Sequence, residues 1–140
     1  MKHRFDLEER TLEFAKAVIR LCKKVPNGVI EKQVVGQLVR ASGSIGANYR
    51  EANEALGKKD FRMRIKISRK EAKESCFWLE LLEEAVPQLR DEIRGLWQEG
   101  DELKKILSAI LSKTCEPKST NSKVILLEEF SFPSTLLVIQ

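Results

Sequence analysis

Residues 58–85 read KKDFRMRIKISRKEAKESCFWLELLEEA, and their spacing decides the fold. Phe61, Ile65, Ser68, Ala72, Ser75, Leu79, Leu82 and, one residue further on, Val86 recur in an unbroken four-three alternation, the period of one face of an α-helix packed in a bundle. Pro87 stops the pattern, so the spacing predicts a helix from Lys58 to just before that proline. The other face carries charge. Between Lys58 and Lys73 there are eight basic residues in sixteen, with only Asp60 and Glu71 against them. At 100° per residue, Lys58, Lys59, Arg62, Lys66, Arg69, Lys70 and Lys73 fill one arc of about 120°, and only Arg64 falls outside it. Seven like-charged pairs at i,i+3 or i,i+4 there cost roughly 0.2–0.5 kcal/mol each, so the face opposes its own folding by about 1.5–3 kcal/mol. An anionic partner, RNA or DNA phosphate, is the expected compensation, and a solvated face offset by Glu80, Glu83 and Glu84 of a neighbouring subunit is the plainer alternative.

Outward from this segment the helical period continues. Leu7, Thr11, Phe14, Val18, Leu21 or Cys22, and Val25 predict a first helix over residues 6–24, ended by Pro26-Asn27-Gly28. Ile30, Val34, Leu38, Ala41, Ile45, Asn48 and Ala52 predict a second over 29–56, with Gly36, Gly43 and Gly46 read as places where another backbone comes close. Ile93, Leu96/Trp97, Gly100, Leu103, Leu107 and Ile110 predict a fourth over 91–114. Four amphipathic helices joined by short turns make an all-α, antiparallel up-down-up-down four-helix bundle over residues 1–114. From Cys115 the composition changes. EPKSTNSK reads as a linker and VILLEEFSFPSTLLVIQ as an apolar tail, so residues 115–140 are expected to be an extension of the bundle.

Composition narrows the function. The chain has 140 residues, 42% hydrophobic and 33% charged, with a net charge of +4. The first 114 residues hold 23 basic and 18 acidic groups and the remaining 26 hold 2 and 3, so the excess of positive charge belongs to the helices. No apolar run nears the ~20 residues of a membrane span, and no signal peptide is visible, so a cytoplasmic location without membrane contact is expected. Cys22, Cys76 and Cys115 lie far apart without a CxxC, which argues against zinc and a disulfide framework. His3 is the one histidine and lies outside the helices, so nucleophilic triads and Glu-x-x-His di-iron sites have no base or ligand to use. Glu51-x-x-Glu54 and Glu71-x-x-Glu74 are reminiscent of the Mg²⁺-binding carboxylates of all-α nucleotide pyrophosphatases, a minor alternative to a non-enzymatic reading without metal or cofactor.

Two further groups of residues stand out on the third helix and beside it. Met63, Ile67, Trp78, Leu81 and Ala85 form a second apolar stripe, more than a monomeric bundle helix needs; a subunit interface is expected there, with a broad core face around the large Trp78 as the plainer alternative. Asn48, Ser68 and Ser75 fall on inward stripes and are expected to form a buried polar layer with Glu51 or Glu71 that fixes helix register.

SGSIGANYREANEA at 42–55, followed by Lys59-Asp60-Phe61 and KEAKESCFWLEL at 70–81, resembles the four-helix-bundle family encoded in intervening sequences of bacterial 23S rRNA genes. Ser42, Ser44, Ala47, Asn48, Glu51, Phe61, Glu71, Glu74 and Leu79 stand in the positions of that pattern, and Gly46 stands where a proline is common. The resemblance covers residues 5–112. It implies a homopentamer of bundles with a basic surface and a role in nucleic-acid binding. It also implies kinship with the accessory variability-determinant proteins of diversity-generating retroelements, which share the fold and act with a reverse transcriptase. A scaffold for another protein, or an accessory factor for such a reverse transcriptase, is the alternative to direct nucleic-acid binding.

Overall fold

A computed structural model describes residues 6–115; His3 and the expected tail beyond Cys115 lie outside the described residues. Four helices follow one another: α1 (Leu7–Cys22), α2 (Val29–Asn53), α3 (Lys58–Ala85) and α4 (Arg90–Lys113), with one 3₁₀ turn at Pro87–Leu89 before α4. Each boundary has a local cause. Asp6 caps α1 by accepting from the Glu9 amide at 3.2 Å, and Glu8 and Glu9 in the first turn suit the positive end of the helix dipole. Val86, the residue before proline, is pushed to φ −135° and ψ 71°, which ends α3 where the sequence indicated. The second helix stops at Asn53, three residues short of expectation, because its last turn tightens: the amides of Glu54 and Ala55 donate to Glu51 and Ala52 three residues back.

Cross-helix pairs set the topology. Arg40 meets Glu71 and Glu74 while Asn48 meets Arg64, so α2 and α3 run antiparallel. Arg62 reaches Leu111 and Thr114 while Glu83 reaches Arg94, so α3 and α4 do too. Glu8 with Asn53 and Lys24 with Glu92 fix α1 against α2 and α4 in the same sense. The α2–α3 and α3–α4 seams are the broadest, and α1 packs more thinly, most of all against α4.

The core is one cluster running the length of the bundle. Phe14, Val18, Leu21, Leu38, Ile45, Ile65, Leu79, Leu82, Ile93, Leu103 and Leu107 are essentially inaccessible. Ile30, expected inward, is 68% exposed at the first turn of α2, where α2 has just entered the bundle from the turn. The glycines also divide. A Cβ at Gly46 would come within 2.8 Å of Thr11 Oγ1, so α1 crosses α2 there with no room for a side chain. Gly36 and Gly43 have no atom within 4 Å of an added Cβ, so among the described residues no other backbone comes near them.

Candidate nucleic-acid interface

The basic arc of α3 divides in two. Lys58, Lys59, Lys66, Lys70 and Lys73 are exposed, whereas Arg62 and Arg69 are half-buried and turn toward α4. Arg62 Nη1 donates to the carbonyl of Leu111 at 2.7 Å, to the carbonyl of Thr114, and to Thr114 Oγ1 at 3.2 Å. These acceptors lie at the end of α4, and a guanidinium there adds charged hydrogen bonds to them and meets the negative end of the dipole. Lys58 Nζ adds a 3.3 Å bond to the Cys115 carbonyl. Arg69 Nη1 lies 3.5 Å from Ser108 Oγ. Arg64, outside the arc, points to α2 and donates to Asn48 Oδ1 at 3.1 Å.

Lys59, Lys66, Lys70 and Lys73 are left as an exposed row, and among the described residues none of the four forms an ion pair. The crowding registers electrostatically. The Lys73 ammonium is held below its ordinary 10.5, first by partial burial and then by Lys104 and Arg69 beside it. Lys104, on α4, thus lies close to Lys73 across the seam, with its own charge paired to Asp101. Sequence periodicity held no hint of it, because its charge is read against Asp101, which both Lys104 and Lys105 contact at 3.1 Å. Beyond Lys73 the same arc turns acidic, with Glu80 and Glu84 exposed.

The second stripe of α3 is partly open. Met63 is 51% and Leu81 40% exposed, while Ile67 and Trp78 are half-buried and Trp78 also packs against the core. Trp78 Nε1 donates to Glu74 Oε2 at 3.0 Å, and Arg40 reaches the same oxygen at 2.6 Å. The indole bond, with help from Arg40, holds the Glu74 carboxyl below its ordinary 4.5 despite some burial. Phe77 meets Trp78 edge to face at 5.0 Å and 78°.

Asn48, Ser68 and Ser75 do not assemble into a shared layer. Ser68 is fully buried and donates across the seam to the Ile45 carbonyl at 2.8 Å; Ser75, also fully buried, donates to the Glu71 carbonyl of its own helix at 2.9 Å. Asn48 is half-buried, binds the Ser44 carbonyl at 2.9 Å and accepts from Arg64. Each polar group finds a different partner close by, so a common network has nothing left to satisfy.

Two of the four carboxylates are paired in the same way. Glu71 and Glu74 lie against Arg40, and Glu51 and Glu54 are exposed at the far end of α2; among the described residues no group of three acidic, histidine or cysteine side chains is placed to hold a metal ion. A shallow cavity of about 340 Å³ between the end of α3 and the start of α4 is lined by Leu79, Glu80, Glu83, Ile93, Arg94 and Trp97. Four of the groups that line it pair with one another, Trp97 Nε1 to Glu80 at 2.9 Å and Arg94 to Glu83 at 2.7 Å, and Gln98 completes the lining. Burial pushes the Cys22 thiol up to about 11 and the Cys76 thiol up to about 12, as for packing residues. No helix among the described residues is long and apolar enough to cross a membrane.

The family model described as 23S rRNA-intervening sequence protein matches residues 4–109. The chain belongs to that family. A crystal structure from Bacteroides thetaiotaomicron, described as a protein of unknown function from the S23 ribosomal protein family, is similar to this 23S rRNA-intervening sequence family member at 34% identity and a TM-score of 0.66. The match covers 74% of this chain and 96% of that one. No curated protein matches. The matched region spans most of the bundle, and the basic row and the second stripe lie within it.

Proposed function

We propose that the protein is a non-enzymatic, oligomeric nucleic-acid-binding bundle that contacts RNA or DNA phosphates through the row Lys59, Lys66, Lys70 and Lys73. One observation carries this reading: four lysines share one exposed face and, among the described residues, none of the four forms an ion pair, Glu74 being the carboxylate that lies near Lys70. From Lys59 to Lys73 the row is about 21 Å long at 1.5 Å per residue, roughly the reach of six phosphates on one strand. Such contacts position a polyanion without reading bases. Arg62, Arg69 and Lys58 support the row by joining α3 to α4, and they are not its primary contacts.

Met63, Ile67, Trp78 and Leu81 form the face through which copies associate, as a homopentamer by analogy with the family. A tryptophan locked by Glu74 and Arg40, one turn from exposed Leu81 and on the same stripe as exposed Met63 about four turns earlier, has the make-up of an interface anchor. Association would repeat the lysine row around the assembly and multiply its effect. Light scattering tests this part: a stable species at the 16.0 kDa chain mass refutes it.

The phosphate reading is tested with Lys66→Glu combined with Lys70→Glu, since arginine substitutions would disturb the α3–α4 seam. Affinity for any duplex should fall alike, and the slope of log K against log[salt] should shrink by about 1.8, or 0.9 for each phosphate that a lysine no longer neutralises. Unchanged affinity in the double variant returns the row to solvated charge.

A further inference from the structure

Phe77 is the next member of the lysine row. Lys66, Lys70, Lys73 and Phe77 follow one another at spacings of four, three and four, one ridge of the helix surface, and Phe77 is 53% exposed. A singly exposed phenylalanine needs no explanation by itself. Two features set this one apart. Its ring is held in place: Trp78 meets it edge to face at 5.0 Å, and Trp78 is fixed by Glu74, which Arg40 of α2 clamps in turn. It also stands at a change of sign, for the ridge is basic before it and acidic after it, with exposed Glu80 one turn beyond and Glu84 next.

A phosphate backbone that follows the lysines cannot continue past Phe77 without meeting those carboxylates. What reaches that point favourably is an uncharged aromatic surface. We propose that Phe77 is a stacking platform for an unpaired nucleobase at the end of the lysine row, so that the preferred ligand is a duplex with a single-stranded extension and not a blunt duplex. The proposal rests on the phosphate-binding reading above and adds to it the class of nucleic acid. Phe77 falls within the arc of the row, outside the stripe of Met63, Trp78 and Leu81, so it remains at the rim when that stripe is covered.

The test uses the full chain, binding by fluorescence anisotropy, and three labelled RNA probes: a blunt duplex, the same duplex with an unpaired extension, and that duplex with the extension made abasic. Loss of the extension's bases should weaken binding to wild type by about 5- to 150-fold, the range for one stacked base. Phe77→Leu, which keeps an apolar side chain, should remove that difference and leave blunt-duplex affinity unchanged. If wild type binds the blunt duplex but ignores the bases of the extension, or if Phe77→Leu preserves the difference, the stacking role is wrong while the lysine row stands. A Phe77→Leu variant that loses blunt-duplex affinity equally, or changes mass in light scattering, assigns Phe77 to packing and also overturns the inference. Absence of binding to every probe at low salt removes both readings together.

Discussion

Arg62→Ala and Lys66→Ala delete neighbouring charges from one helical arc, yet they are expected to move stability in opposite directions. Arg62 donates through one nitrogen to two carbonyls and a hydroxyl at the end of α4. A half-buried hydrogen bond from a charged donor contributes about 1.5–3 kcal/mol, and a cation at a helix C-terminus about 0.3–1 kcal/mol more. Against this, Arg62 takes part in three of the like-charged pairs, with Lys58, Lys59 and Lys66, whose removal returns about 0.6–1.5 kcal/mol. The balance is a loss of about 1–3 kcal/mol. Lys66 has three such pairs as well, with Arg62, Arg69 and Lys70, but no ion pair among the described residues to lose. Its removal should therefore stabilise the fold by about 0.5–1.5 kcal/mol. Urea unfolding followed by circular dichroism at low salt measures both, and raising the salt should shrink the Lys66 gain more than the Arg62 loss. Shifts of the same sign refute the division of the arc into a seam half and a solvent half.

Gly46→Ala should cost about 0.5–2 kcal/mol because its methyl meets Thr11, whereas Gly36→Ala, whose methyl meets nothing among the described residues, should gain about 0.5–1 kcal/mol; thermal unfolding of the pair checks this. Ser68→Ala should lose about 0.5–1.5 kcal/mol through the broken bond to Ile45, and Ser75→Ala, whose bond lies within its own helix, less than that by denaturant titration. The Glu74 carboxyl has a folded pKa below its ordinary 4.5, so its contribution is complete above that value and is lost as pH falls through the lowered one. Trp78 emission, read in a Trp97→Phe background, should stay constant from neutral pH to about 4.5 and change only in stronger acid; a transition centred above 4.5 contradicts the assignment.

The fold was legible because Ile65, Ala72, Leu79 and Leu82 obey one period and Pro87 ends it, and a repeated period survives any one exception. Ile30 was such an exception: periodicity marks a face but does not say where along the helix the neighbours begin. The charged arc was legible as an arc and not as two populations. Telling Arg62 from Lys66 requires knowing that the end of α4 lies beside the start of α3, a fact of tertiary placement, although an arginine in the first turns of one antiparallel helix is within reach of its neighbour's last carbonyls. Asn48 lay on the inward stripe of α2 and Ser68 and Ser75 on that of α3, but hydrogen bonds are settled over about 3 Å, and the nearest acceptor in each case belonged to a different residue.

The thin attachment of α1 sets an order of events when the molecule opens. With 16 residues against 24 to 28 in the others, α1 is the shortest helix, and its seams are the sparsest of the four. The α2–α3–α4 unit retains the two broad seams when α1 detaches, so α1 should form a separate cooperative unit whose amides exchange with solvent through a cheaper, sub-global opening than those of Ile65 or Leu79. The lysine row belongs wholly to the persistent unit, and a bound polyanion should therefore slow exchange in α3 and α4 while leaving that of α1 nearly untouched.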